Sequence, residues 1–424
     1  MIKIRKKKLI NIIKTENKLI LFIYLYMFIM PWNFVNGQFG TLTMLLFIAW
    51  IIVYKRRTFE LSLKILKCIP LVLLCIYIIY TYITPFWSDS FIDGFKYINQ
   101  YHKYYFLFIP ILFTSLNMNQ AKNSLKILVI SFGLYSIFSL FIYAGLFTVE
   151  DSTSLNPKGI MGYSVTTQFM LIGSIACFVF AKFSDNNKLR IFFYSLSLLS
   201  FVALFINNSR TSQIAFLLSI ITILLIHYKK TIFKPKVFIS MGLFLIILST
   251  LSLTLLDSAG KLDRYKKAIP LAKQALFEDY YTGSIGARIF FNKTGIEIIS
   301  NNPIFGMGPL DNWIEHKKIQ RNSPNFKHHY VPSFHSQHLD ILTAFGLVGY
   351  LLLVASIVYL IYKLRENKEY FYIALSFYIP IFYISLANAT FYKKPINYIL
   401  ISVFVLLSVI VYKKIREKSL DTTK

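Results

Sequence analysis

The sequence predicts an all-α, polytopic integral membrane protein with about twelve transmembrane helices and one large external loop containing short helices. Three observations carry this. Of 424 residues 56% are hydrophobic, and the mean hydropathy is +0.55, beyond the range of an ordinary water-soluble domain. The apolar residues fall into about a dozen runs near the roughly 20 residues that a helical crossing needs. Strand-like alternation of apolar and polar residues is absent, which leaves helices as the spanning form.

In chain order, the basic start Lys3 to Lys8 precedes an apolar run from Leu19 to Met30. No small-residue cleavage site follows, so this reads as an uncleaved first span. Apolar runs between breakers then place spans at 19–35, 38–54, 66–84, 104–117, 127–147, 163–181, 191–206, 211–228, 237–256, 338–362, 371–388 and 396–412. The stretches 104–117 and 191–206/211–228 are short for a full crossing. Residues 1–256 thus form spans one to nine, 257–337 a large periplasmic loop or cap, and 338–424 spans ten to twelve with a cytoplasmic tail.

The net charge of +27 does not indicate nucleic acid, because most Lys and Arg residues cluster at the ends of apolar runs, where they set topology. With a cytoplasmic N-terminus and alternating spans, about 29 Lys and Arg fall inside and about 6 in short outside loops; the remaining 11 lie in the long external segment. Both termini are therefore predicted cytoplasmic. Cys68, Cys75 and Cys177 lie in or beside apolar runs without metal-ligand spacing and read as packing residues.

In the long segment, Lys261 to Asp279 mixes basic and apolar residues like a helix lying along the interface. A second helix is predicted from Ser284, as N-cap, to Ile299, where Asn301-Asn302-Pro303 stops it. A glycine-rich turn, Gly306-Met307-Gly308-Pro309, and a polar, His-bearing stretch to Pro332 follow.

Three polar features stand out. Asn207-Asn208-Ser209-Arg210-Thr211-Ser212 lies at the outer ends of two spans; Arg210 can snorkel there or meet an anion, since a guanidinium fork fits phosphate oxygens. Arg288 falls in the first turn of the predicted external helix. A cation is disfavoured there by the helix dipole, unless an anion is held by both. Last, His335-Ser336-Gln337-His338-Leu339-Asp340 straddles the outer surface. A histidine near pKa ~6.5 suits general-base work, whereas His338 and Asp340 read as helix-start residues. His328-His329 adds no metal-ligand spacing, so neither metal nor cofactor is implied. Gly346 and Gly349 read as small-residue packing points.

These residues resemble the bacterial O-antigen ligases. His335-Ser336, nine residues, then Gly346-x-x-Gly349 is similar to the family's His-Asn/Ser-x9-Gly-x-x-Gly signature. Asn302-Pro303-Ile304-Phe305-Gly306-Met307-Gly308 resembles the superfamily's Asn-Pro-apolar-apolar-Gly-x-Gly segment. Ser209-Arg210-Thr211 resembles its Ser-Arg-small motif, and Arg288 occupies the place of a second family arginine. The motifs cover Asn207 to Tyr350. The resemblance implies an inner-membrane glycosyltransferase acting at the periplasmic face, with an undecaprenyl-diphosphate-linked glycan as donor and lipid A-core as acceptor. It implies His335 as base, Arg210, Arg288 and Ser209 at the donor diphosphate, and His338, Gly306 and Gly308 in support. The family's chemistry is metal-independent and inverting.

The basic cap residues Lys261, Arg264, Lys266 and Lys267 then face anionic lipid or phosphorylated sugar, and a cleft is expected between cap and spans. The aromatic fraction of 17% suits sugar stacking, although aromatic belts are ordinary in membrane proteins. Two alternatives share the donor site: an O-antigen polymerase, using a second carrier-linked glycan as acceptor, and a protein O-oligosaccharyltransferase. A transporter fits less well, because buried mid-span charges and paired broken helices are nearly absent.

Overall fold

The computed structural model describes residues 17–32, 37–232, 234–326, 331 and 333–421. The basic start Lys3 to Lys8, the pair His328-His329, Pro332 and the side chain of Arg264 lie outside the described residues. In chain order the helices are α1 (Asn17–Ile29), α2 (Gln38–Tyr54), α3 (Thr58–Leu63), α4 (Ile69–Ile83), α5 (Phe91–His102), α6 (Tyr105–Ser115), α7 (Met118–Tyr143), α8 (Tyr163–Lys182), α9 (Asn187–Ile206), α10 (Arg210–Tyr228) and α11 (Pro235–Ser258). Short helices α12 (Asp263–Lys266), α13 (Ala268–Phe277), α14 (Gly283–Asn301) and α15 (Asp311–Asn322) form the cap. The chain returns through α16 (Gln337–Leu364), α17 (Lys368–Ser385) and α18 (Lys394–Asp421).

Among the described residues there are no strands, and nine helical segments are long and apolar enough to cross a membrane. The chain is a multi-pass membrane protein. Nine of the expected spans correspond to these segments. The other three are helices too: α1 and α6 are shorter, and Lys368, Glu369 and several tyrosines lower the hydropathy of α17. Length and composition support nine crossings; the expected twelve requires these three as well.

The helices start where the sequence supplies caps. Asn117 and Gln120 form a reciprocal capping box at α7, and Asn186, Ser209, Ser336 and Asn367 cap α9, α10, α16 and α17 through side-chain oxygens. α8 and α18 form the buried centre, each 89% buried over its apolar window. α8 packs between α7 and α9 through small residues: Gly173 lies against Phe132, and the hydroxyls of Ser174 and Ser197 donate reciprocally to each other's backbone carbonyls. α11 lies outermost, with Phe238, Ile239, Ile246 and Ile247 exposed, as suits a lipid-facing helix.

The cap differs in detail from expectation. The stretch Lys261 to Asp279 is two helices, because Pro270 has no N–H to continue the ladder past Lys266. Thr282, not Ser284, is the N-cap residue of α14, so Arg288 sits in its second turn and the helix-dipole argument loses force. α15 occupies the stretch read as polar loop, and α5 occupies an outside loop. Both dock at the cap end: the backbone N–H of Asp89 donates to Asp311, and Gly94 lies against Pro309.

The largest departure is in α16. Gly346 takes φ 62° and ψ −169°, a conformation essentially confined to glycine, and the helix breaks there. The segment Pro303–Gly308 docks into the break. Leu347 and Val348 donate to the carbonyls of Pro303 and Ile304 at 2.9 and 3.1 Å, while Met307 and Gly308 donate to Thr343 and Ala344 at 2.9 and 3.0 Å. The orphan groups that a broken helix exposes are thus satisfied by the cap. A Cβ on Gly306 would come within 2.6 Å of the Ala344 carbonyl, and one on Gly346 would overlap the Ile304 carbonyl oxygen. Gly346 is therefore a junction between span and cap, not a packing point between spans.

Candidate functional site

At the cap end of the bundle, four basic side chains from four separate segments come together. Arg210 opens α10, where Ser209 and Ser212 fix the first turn: the Ser212 N–H meets Ser209 Oγ at 3.4 Å, and the two hydroxyls are 2.9 Å apart. The Arg210 guanidinium reaches into the cap and donates to Ser284 Oγ at 2.8 Å. Arg288 follows one turn along α14. The two arginines share a cavity of about 310 Å³ whose other walls are apolar, chiefly Ile214, Leu218, Ile285, Leu386 and Ala387. The cavity lies between cap and spans, where the cleft was expected.

His335 lies on the loop entering α16. It adopts φ 49°, its N–H donates to Ser333 Oγ at 3.0 Å, and its ring lies near-parallel to Phe291 with centroids 5.7 Å apart. Burial pushes its pKa down to about 4, and the charges of Arg288 and Lys393 add to this. The imidazole is neutral at neutral pH and so has a free lone pair.

Lys393, in the loop between α17 and α18, is the member that sequence reasoning missed. Its ammonium donates to Ser164 Oγ at the start of α8. Burial and the nearby Arg288 lower its pKa to about 8. Burial also lowers Arg288 below its ordinary value; Tyr163 opposes this and Arg210 reinforces it. No ion pair among the described residues involves Arg288 or Lys393. Arg288 and Lys393, both lowered chiefly by burial and outside every ion pair among the described residues, make a site that favours a multivalent anion.

The remaining candidates fall elsewhere. Ser209 is a buried cap residue whose hydroxyl is engaged within α10. His338 joins α16 to α17, with Nε2 3.2 Å from the Phe382 carbonyl and Nδ1 3.1 Å from the Tyr350 hydroxyl. Gly306 and Gly308 serve the junction at Gly346. Beneath His335, buried His316 meets Thr294 Oγ1 at 3.0 Å, and Asp340 accepts from the Phe334 N–H at 3.3 Å. These two side chains underpin the loop that carries His335.

Residues 195–354 match the family model described as O-antigen ligase. No curated protein matches the chain. The matched segment contains Arg210, Arg288, His335 and the Gly306–Gly346 junction, and Lys393 lies beyond it.

Proposed function

We propose that this multi-pass membrane protein, whose 195–354 segment matches the O-antigen ligase family model, moves a glycan from undecaprenyl diphosphate to an acceptor hydroxyl at the periplasmic face of the inner membrane. The acceptor in this reading is lipid A-core, and the product is complete lipopolysaccharide. The observation that carries the proposal is the convergence of Arg210, Arg288 and Lys393 around a neutral His335, beside an apolar cavity.

The cations suit the donor's diphosphate, and the apolar wall formed by α10 and α17 suits the first isoprene units. As the bond between the anomeric carbon and the phosphate oxygen breaks, negative charge grows on the leaving diphosphate, where the fixed cations stabilise it. The acceptor oxygen bonds to the anomeric carbon from the opposite side, and its proton passes to the His335 imidazole. The configuration inverts and undecaprenyl diphosphate departs. A diphosphate between Arg288 and Lys393 also opposes the field that depresses His335, making the imidazole a better base once the donor is bound.

The test is complementation of a ligase-deficient strain from the protein's own source, with lipopolysaccharide read on a gel. A high-molecular-weight ladder restored by wild type and lost in His335→Ala and Arg210→Lys, with both variants present in the membrane, is the expected result. A ladder that survives His335→Ala removes the base assignment. No ladder from membrane-inserted wild type moves the reading to polymerase, with the same donor site and a carrier-linked acceptor.

A further inference from the structure

The candidate site lies at the cap ends of α8, α10 and α17. The same three helices carry a second group of basic side chains at their opposite ends, about 26 Å away along α10. Lys182 closes α8, His227 lies in the last turn of α10 and Lys368 opens α17. Tyr372, one turn into α17, connects them. Its hydroxyl is 2.7 Å from His227 Nδ1, and Lys182 Nζ lies 6.0 Å from its ring centroid. Phe183 stacks on the same ring with centroids 6.1 Å apart. The charges of Lys182 and Lys368 both reach the His227 imidazole.

Both lysines are exposed, and neither forms an ion pair among the described residues. The neighbouring carboxylates are directed elsewhere: Glu369 pairs with Lys122 at 2.7 Å, and Asp185 acts on Lys126. Cations gathered without a counter-ion repel one another, and a bound anion removes that repulsion. Depth decides which anion. Span ends lie at the level of lipid headgroups, where basic pockets between helices take up headgroup phosphates. One turn toward the membrane centre, Phe178 on α8 is 52% exposed, and Ile223 and Leu224 on α10 are half-buried. An apolar surface suited to acyl chains thus begins where the charges stop. A soluble anion could use only the charges, whereas a phospholipid uses both.

We infer that Lys182, His227, Lys368 and Tyr372 form a binding site for the headgroup of an anionic phospholipid at the junction of α8, α10 and α17, opposite the cap. The site does not depend on the transferase reading. It does bear on the cavity beside Arg210, because α10 and α17 also supply that cavity's apolar wall, including Ile214, Leu218 and Tyr383. The hydroxyls of Thr222 and Tyr383, 2.7 Å apart, join the two helices midway. A phospholipid bridging their far ends braces the helix pair that shapes the cavity.

The full-length protein is titrated with phosphatidylglycerol, cardiolipin or phosphatidylcholine and the adducts are read by native mass spectrometry. Wild type is compared with Lys182→Gln/Lys368→Gln and with Lys229→Gln/Lys230→Gln, which removes the same charge from the same end of α10 outside the cluster. All four lysines are exposed, so glutamine there leaves folding intact. Wild type and the control pair should retain the two anionic lipids in preference to phosphatidylcholine. Lys182→Gln/Lys368→Gln should weaken their binding about thirtyfold. Wild type should also melt several degrees higher in phosphatidylglycerol nanodiscs than in phosphatidylcholine nanodiscs, a difference lost in Lys182→Gln/Lys368→Gln. Equal loss of binding in the two double variants would mean diffuse surface charge and overturn the site, as would equal retention of phosphatidylcholine. Inorganic phosphate that reproduces the melting shift in phosphatidylcholine nanodiscs would reassign the cluster to a soluble anion and overturn the lipid. Binding is read without a glycan donor, so failure of the transferase reading leaves this result untouched.

Discussion

Gly346→Ala tests the link between fold and site most directly. At φ 62° and ψ −169° an alanine carries about 1–3 kcal/mol of backbone strain. Its Cβ also collides with the Ile304 carbonyl oxygen, which is fixed backbone and cannot swing away. Relief requires the Pro303–Gly308 segment to retreat, and the bonds from Leu347 and Val348, at 2.9 and 3.1 Å, are the first to lengthen. Losing both removes about 0.5–1.5 kcal/mol each, so the junction weakens by roughly 2–6 kcal/mol in all. The rest of the bundle is untouched. The expected phenotype is a protein that inserts and purifies normally, with lowered thermal stability and glycan transfer reduced about a hundredfold, the scale of a 1 Å misplacement of reacting groups. The control is Gly242→Ala on α11, where an added Cβ meets nothing within 4 Å; transfer and melting temperature should hold. Melting is followed by intrinsic fluorescence in nanodiscs and transfer by gel. Wild-type activity and melting temperature in Gly346→Ala would refute the junction.

Three further outcomes follow from the site. Lys393→Met should raise the donor KM at least several-fold and raise the pKa of His335, read by NMR titration of the labelled imidazole; an unmoved His335 would detach Lys393 from the cluster. On the proposed function, the acid limb of kcat should lie at higher pH than that of kcat/KM, because burial pushes His335 down to about 4 in the free protein and a donor diphosphate would raise it; coincident limbs would contradict this. Stability should fall as pH drops from about 6.5 toward 4, because the unfolded chain takes up protons on His316 and His335 that the folded state, with both pushed down to about 4 mainly by burial, refuses until lower pH. Melting temperatures measured across that range in wild type and His316→Gln should differ in slope.

Much of this architecture is legible in the sequence because lipid solvation imposes one strong signal, the apolar run. Nine of the expected spans follow from it, whereas the stop of α14 at Asn302-Pro303 follows from the missing N–H of proline. The signal fails where the buried face is polar. α15 turns Asn312, His316 and Gln320 inward at a spacing of four residues, and each finds a partner: Thr343 at 2.9 Å, Thr294 at 3.0 Å and the backbone of Val331 at 3.2 Å. Hydrophobic periodicity cannot reveal a helix held by hydrogen bonds. Of the site, Arg210, Arg288 and His335 are identified by motif, yet their meeting depends on packing among α10, α14 and α16. Lys393 is hidden by position: paired with Lys394 at a span end, it looks like any topological charge, and only its burial beside Arg288 sets it apart.

The spacing between His335 and Gly346 has a mechanical reading. Ser336 caps α16 and Gly346 breaks it, so the nine residues between form a helical rod about 13 Å long. One end of the rod carries His335; the other is clamped by the backbone of Pro303–Gly308. That segment directly follows α14, the helix that carries Arg288, and Gly295 on α14 lies against Leu339 on the rod. Arg288 and His335 are therefore held on two helices joined at one end by four backbone hydrogen bonds and packed together along their length. Lengthening the rod by one residue would rotate His335 by about 100° relative to the clamp. An alanine inserted after Thr343 should consequently abolish transfer while leaving span and cap folded, whereas an insertion after the exposed Lys230, between α10 and α11, should be tolerated far better. Equal loss from both insertions would mean that the spacing carries no geometric information.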